Sequence, residues 1–248
     1  MRSAAFSSGC IGLLLLACST SKSSSNGLLM SGELVGKATW FDAHGTLNCS
    51  FPPFTDWMVA APKMTSELDL YNHASACGAC LKVTGTNKAN TKTTAIVVKV
   101  VDSCPDCKQS DILLDLSEEA FGRIDNLDTG IIDIRFQVVP CDVTGNLQYR
   151  FKDGSSQSWT AIQVLNHREP LATVEYSDNS GNWITTSRSD DNYFVPNTEN
   201  GGVGPHSNGL PLRITDAYGQ VVMDTVPVVV DKNAIDSSMV FPGTQQFE

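Results

Sequence analysis

Positive charge is scarce in this chain. Its 248 residues carry 17 Lys and Arg against 27 Asp and Glu, a formal net charge of −10. So few cations cannot neutralise a run of phosphates, which excludes nucleic acid and anionic surfaces as partners. The same deficit disfavours acidic wall polymers and leaves neutral glucan as the more compatible ligand. Histidine is scarcer still. His44, His73, His167 and His206 are scattered, no His-x-x-x-His pair occurs, and neither a metal nor a cofactor is expected. A Ser-His-Asp order and a phosphate-cradling glycine loop are both missing. The chain also lacks internal repeats and any amphipathic helix long enough to bind a membrane or a partner helix.

Cysteine is absent after residue 141. Cys10 and Cys18 fall in an N-terminal apolar segment; the other six are Cys49, Cys77, Cys80, Cys104, Cys107 and Cys141. An even number in an exported chain points to three disulfides. The Cys-x-x-Cys spacings at Cys77–Cys80 and Cys104–Cys107 also fit zinc. An exported protein meets oxidant before it meets free zinc, and two further cysteines need partners, so disulfides are preferred.

Export itself is read from the N-terminus. Arg2 precedes "CIGLLLLACS", an apolar run too short to span a bilayer as a helix. It ends in Leu15-Leu16-Ala17-Cys18, which resembles a bacterial lipobox, with Cys18 as the lipidated residue; an ordinary cleavage site is the alternative. A signal peptide is therefore expected at 1–17 and a Ser-rich flexible tether at 18–32. The membrane is then reached only through a lipid at Cys18.

The loss of cysteine after 141 marks a boundary near "CDVTGN", where Gly145-Asn146 supplies a turn. Before it, "LVGKATW", "CLKVTG", "TAIVVKVV" and "GIIDIRFQVV" read as strands. In the last, Ile132, Ile134, Phe136 and Val138 alternate with polar residues, the period of a half-buried strand. "AIVVKVV" is nearly continuous and predicts a strand buried on both faces. "SEEAFGRI" predicts one short helix with Ser117 as N-cap. After the boundary the pattern is all strand, with turns such as "KDGSS", "SDNSGN" and "DAYGQ", which predicts a β-sandwich.

The densest chemistry is "VVKVVDSCPDCKQSDILLDLSEEAF". Asp102 ends a strand, a Cys-bracketed loop follows, and Asp115 precedes the capped helix. Two carboxylates at the edges of one loop can face the same groove. Inverting glycoside hydrolysis needs an acid and a base roughly 6.5–9.5 Å apart. A single positioned acid can instead grip a sugar, or cleave peptidoglycan whose own group acts as nucleophile. Asp-Leu-Ser before a helix is also a common structural cap. In "GKATWFDAHGT", Asp42 is the one candidate for a base, and its place at the start of a Gly-containing loop reads as the groove's rim.

These pieces occur in a recognisable order: "ATWFDAHGTLNCSF", "VAA", "CGACLKVTG", "VVDSCPDC", "LDLSEEAFGRI", "VVPCDVTGNLQYRFKDGSS" and "WTAIQVLNHREPLATVEY". So ordered, the sequence resembles the microbial expansin-like proteins from Gly36 almost to its C-terminus. The resemblance implies an all-β fold: a six-stranded double-ψ β-barrel over 33–142, then an immunoglobulin-like carbohydrate-binding sandwich over 143–248. It implies a monomer that binds cellulose or related wall glucan and loosens it without hydrolysis. It carries the barrel groove over to Thr39, Trp40, Asp102 and Asp115, with Asp115 matching the acid of the endoglucanases that share the barrel. It also implies the pairings Cys49–Cys77, Cys80–Cys141 and Cys104–Cys107.

Departures from that pattern stand beside it. Cys104 occupies a position that is aromatic in many relatives, and Leu113-Leu114 replace a His-Phe pair. On the sandwich, relatives line up three aromatics that stack on sugar rings. Trp159 matches one of them and Lys152 a basic residue at the edge, but Ser158 and Asp191 replace the other two. Tyr193, two positions beyond Asp191, is expected to restore part of the platform if 191 and 193 share a strand face. Trp183 reads as core, and His167 in "NHREP" as part of a turn. Two further functions remain: a glycosidase or lytic transglycosylase using Asp115 as acid, either with Asp42 as the opposing base or acting alone on peptidoglycan, or an inert carbohydrate-binding lipoprotein.

Overall fold

The computed structural model describes residues 32–227 and 236–248. The expected signal peptide, Cys18 and nearly all of the tether lie outside the described residues.

Six strands close a barrel in the order β1-β5-β2-β4-β3-β6. They are β1 (Leu34–Phe41), β2 (Val59–Pro62), β3 (Cys80–Thr86), β4 (Thr93–Val100), β5 (Ile112–Ser117) and β6 (Ile132–Val139). β1 runs parallel to β5 and antiparallel to β6, so this one strand closes the ring and leaves no free edge. Ala38, Leu81, Val83, Val98, Val100, Leu114, Leu116 and Phe136 fill its centre. The helix α1 (Glu118–Ile124) follows β5 directly. Ser117 caps it by accepting from the Ala120 N–H at 3.2 Å, and Phe121 and Ile124 plug the barrel core.

The near-continuous apolar run of β4 is not buried on both faces as predicted. Val98 and Val100 point into the barrel, whereas Val97 is 50% exposed. A closed barrel has one dry face, and here the outer face of β4 has no covering layer at Val97.

The second unit begins at β7 (Gln148–Phe151) and continues through β8 (Ile162–Leu165), β9 (Leu171–Ser177), β10 (Trp183–Arg188), β11 (Phe194–Pro196), β12 (Leu210–Asp216), β13 (Val221–Val226) and β14 (Phe241–Pro242). β10 pairs with β9 through residues 183–185 and with β11 through 186–188, so the ladder turns from one layer to the other along this strand. Tyr149, Phe151, Ile162 and Val164 from one layer pack against Val174, Tyr176, Leu212 and Ile214 from the other. Trp183 is not part of that core. It is half-buried at the start of β10, with the Arg213 guanidinium 4.6 Å from its ring.

The three disulfides form as Cys49–Cys77, Cys80–Cys141 and Cys104–Cys107. Cys80–Cys141 closes 61 residues, which stabilises the fold by about 4 kcal/mol on the chain-entropy account. Cys104–Cys107 closes only three and contributes by fixing loop shape instead.

Side chains of the sandwich hydrogen-bond to backbone carbonyls of the barrel. Gln163 Nε2 and Asn192 Nδ2 both donate to the Cys49 carbonyl, at 2.8 and 3.4 Å. Arg188 donates to Ala74 O at 2.9 Å and Arg150 to Ser50 O. In return Tyr71 donates its hydroxyl to Asp190 O at 2.6 Å. Gly78 has φ +80°, and a Cβ there would run into the buried His167 ring. The turn expected at His167 therefore sits inside the joint between barrel and sandwich.

Candidate functional site

Asp115 stands on β5 opposite Thr39 of the parallel strand β1. Thr39 Oγ1 donates to Asp115 Oδ1 at 2.6 Å. Burial raises the Asp115 pKa; the Thr39 bond works against this and the Asp102 charge adds to it. Its second oxygen, Oδ2, meets the Cys104 sulfur at 3.9 Å. As half of a disulfide that sulfur has no proton to give, so Oδ2 is left for a ligand. The Cys104–Cys107 loop thus forms a wall beside the acid. Lys63, itself buried, holds the loop by donating to Gln109 O at 2.7 Å and to Cys107 O at 2.5 Å.

Asp102 follows β4 and joins the same group. Its Oδ1 accepts the N–H groups of Asn48 and Ser103, each at 2.9 Å, and Asn48 Nδ2 donates to Ser103 Oγ. Burial raises its pKa, with the two backbone bonds opposing. Asn48 and Ser103 were not evident from sequence. Asn48 lies 54 residues from Asp102, and only the barrel fold brings them together.

Asp42 does not join them. Asp42 lies just past the end of β1 with its side chain 71% exposed, and its Oδ1 accepts from the His44 backbone N–H and faces His44 Nδ1, both at 2.9 Å. Those bonds hold its pKa below the ordinary carboxylate value. Trp40 alternates with Thr39 along β1 and so stands on the strand's other face. Its Nε1 donates to the Leu127 carbonyl at 2.9 Å. Thr39, Asp102 and Asp115 are thus brought together, with Trp40 next to Thr39 on β1 and 36% exposed.

On the sandwich, Trp159 is 36% exposed and packs over Gly201. Lys152 pairs with Asp191. Burial of Asp191 is outweighed by its bonds to Lys152 and Ser189, which keep its pKa low. Tyr193 is 3% exposed and cannot restore a stacking platform. Arg150 donates to its hydroxyl, and the Arg150 and Lys152 cations lie 5.5 and 5.2 Å from its ring centroid. The i, i+2 expectation fails because β11 begins only at Phe194 and Asn192 is left-handed, φ 67°. Residues 191 and 193 do not share a strand face. Among the described residues no cluster of three or more His, Cys, Asp or Glu could hold a metal ion.

Residues 64–136 match a protein-family model described as lytic transglycolase. The chain is 40% identical to expansin-YoaJ of Bacillus subtilis (strain 168) over 174 residues, 70% of this chain and 68% of that protein. It is 29% identical to expansin-like protein 3 of Dictyostelium discoideum over 207 residues, 81% of this chain but only 58% of that longer relative. The fold is similar to that of a mutant Clavibacter michiganensis expansin in complex with cellohexaose. That comparison has a TM-score of 0.70 at 27% identity and covers 87% of this chain and 98% of that one. Sequence identity over two thirds of both chains and the shared fold agree: the chain belongs to the expansin family, among its microbial expansin-like members.

Proposed function

We propose that this protein is exported, binds cellulose or a related cell-wall glucan, and loosens it by disrupting noncovalent contacts without cutting the chain. The observation that carries the reading is an acid without an opposing base. Asp115 is half-buried, held by Thr39, and has its pKa raised, while Asp42 is turned outward onto His44. Hydrolysis by inversion needs a second carboxylate across the groove to activate water. Asp102, the other carboxylate of the site, has Oδ1 committed to two backbone N–H groups. The free Asp115 oxygen can donate one hydrogen bond when protonated and accept one when ionised, and so compete with the bonds between glucan chains. Trp159 and Lys152 extend the contact on the sandwich.

The likeness to a cellohexaose-bound expansin, and the match of residues 64–136 to a family model described as lytic transglycolase, support two ligands for one groove. The second reading, acid-only cleavage of peptidoglycan, draws on the raised Asp115 pKa. Creep of a cellulosic wall strip, measured beside reducing-sugar release from cellulose and muropeptide release from peptidoglycan, separates the two. Creep without release, lost in Asp115→Asn, is expected. Release of either product, abolished by the same substitution, would convert the reading to an enzyme.

A further inference from the structure

Below the Phe51–Met58 segment, away from Asp115, lies a cleft of about 330 Å³ where barrel meets sandwich. Phe51, Pro53, Phe54, Met58 and Leu165 give it apolar walls. One cation lines it. Lys99 leaves β4 through the outer face, and its ammonium lies 4.7 Å from the Phe51 ring centroid. Among the described residues this ammonium has no hydrogen-bond or ion-pair partner, although it is only partly exposed. Asp56 is the carboxylate at the cleft, and it accepts the Met58 N–H at 3.1 Å instead. Burial of Lys99 lowers its pKa, as expected for a cation without a counter-charge.

An uncompensated cation among apolar walls is costly unless something anionic completes it. Small-molecule sites have this make-up: mostly apolar lining, a volume of roughly 300 Å³ or more, and few polar groups that orient the ligand. The space holds roughly ten water-sized groups, the size of one substituted aromatic ring. Phe51 already faces the Lys99 ammonium and Phe54 packs against Trp57 at 4.9 Å, so a ligand ring would meet them from the cleft side. The exposed Gln148 amide also lines the cleft, and its side chain makes no hydrogen bond among the described residues.

We propose that this cleft binds a small aromatic carboxylate, its ring held by Phe51, Phe54 and Met58 and its carboxylate by the Lys99 ammonium. The Gln148 amide is then available to a ring hydroxyl. The site is separate from the Thr39–Asp115 groove and does not depend on what that groove does.

Isothermal titration of the full chain with 4-hydroxycinnamate and with its methyl ester tests the assignment. Saturable binding of the acid is expected, weakened at least about tenfold in the ester and by Lys99→Met. Asp115→Asn leaves it unchanged. Equal binding of acid and ester, or no saturable binding of the acid, would overturn the proposal. So would undiminished binding by a folded Lys99→Met chain. The acid–ester comparison needs only the unaltered protein, so it decides the matter even where Lys99→Met does not fold.

Discussion

Thr39 Oγ1 donates to Asp115 Oδ1 across the parallel pairing of β1 with β5, over 2.6 Å. The bond favours the ionised carboxylate, against burial and the neighbouring Asp102 charge. Thr39→Val therefore moves the Asp115 titration midpoint to higher pH, and Asp102→Asn moves it to lower pH. Carboxyl-carbon NMR titration reads both shifts. An unmoved midpoint in Thr39→Val would remove Thr39 from the site.

The raised Asp115 pKa has a sign in stability. The folded chain keeps this proton above the ordinary value of 3.8, where the unfolded chain has released it. Asp115 thus costs stability as pH rises from about 3.8 through the folded value. Asp115→Asn lacks the titration. Urea denaturation at several pH values should show the variant gaining on the parent across that window and level with its own gain above it.

Trp159 and Tyr193 should respond oppositely. Trp159→Ala removes a ring about one-third exposed, so cellulose pull-down falls while stability falls by less than in Tyr193→Ala. Tyr193→Ala empties a buried site and deprives Arg150 of a partner, at a cost of about 3 kcal/mol by chemical denaturation. Retained pull-down in a folded Trp159→Ala protein would remove the sandwich from the binding surface.

Gly78→Ala attacks the joint. Positive φ disfavours alanine, and its Cβ meets the rigid His167 ring. A loss of more than about 1 kcal/mol is expected. Calorimetry should show barrel and sandwich melting together in the parent and in two steps in the variant.

His167 is buried, and its Nδ1 bonds the Glu169 carbonyl at 2.8 Å. Burial, aided by the Lys99 and Arg188 charges against the Glu169 bond, pushes its pKa down to about 3. The unfolded chain takes up this proton near 6.5, the folded chain only near 3. Stability therefore falls as pH drops through that window, by up to about 1.4 kcal/mol per unit from this group. Asp115 and Asp102 act in the opposite sense in the acidic part of the window, so the slope must be read as the difference between parent and His167→Gln. Identical slopes would refute the buried neutral ring.

Much of this was legible from the residues. Alternation in β6 and the Ser117 cap are local signals, and both predict what forms. β5 is different. "ILLDLS" offers no period-2 pattern because its outward Leu113 is itself covered, and its pairing with β1 spans 76 residues at Thr39–Asp115. Asn48 reaches Asp102 for the same nonlocal reason. Tyr193 shows a further limit: a strand face was inferred through Asn192, whose left-handed backbone breaks the alternation. The Lys99 cleft has walls from both units and exists only once they are joined.

Two amides of the sandwich, Gln163 and Asn192, end on a single barrel carbonyl, that of Cys49, whose side chain is tied to Cys77. Because that acceptor is itself cross-linked, a load on either amide passes through Cys49 to Cys77 and so into a second point of the barrel.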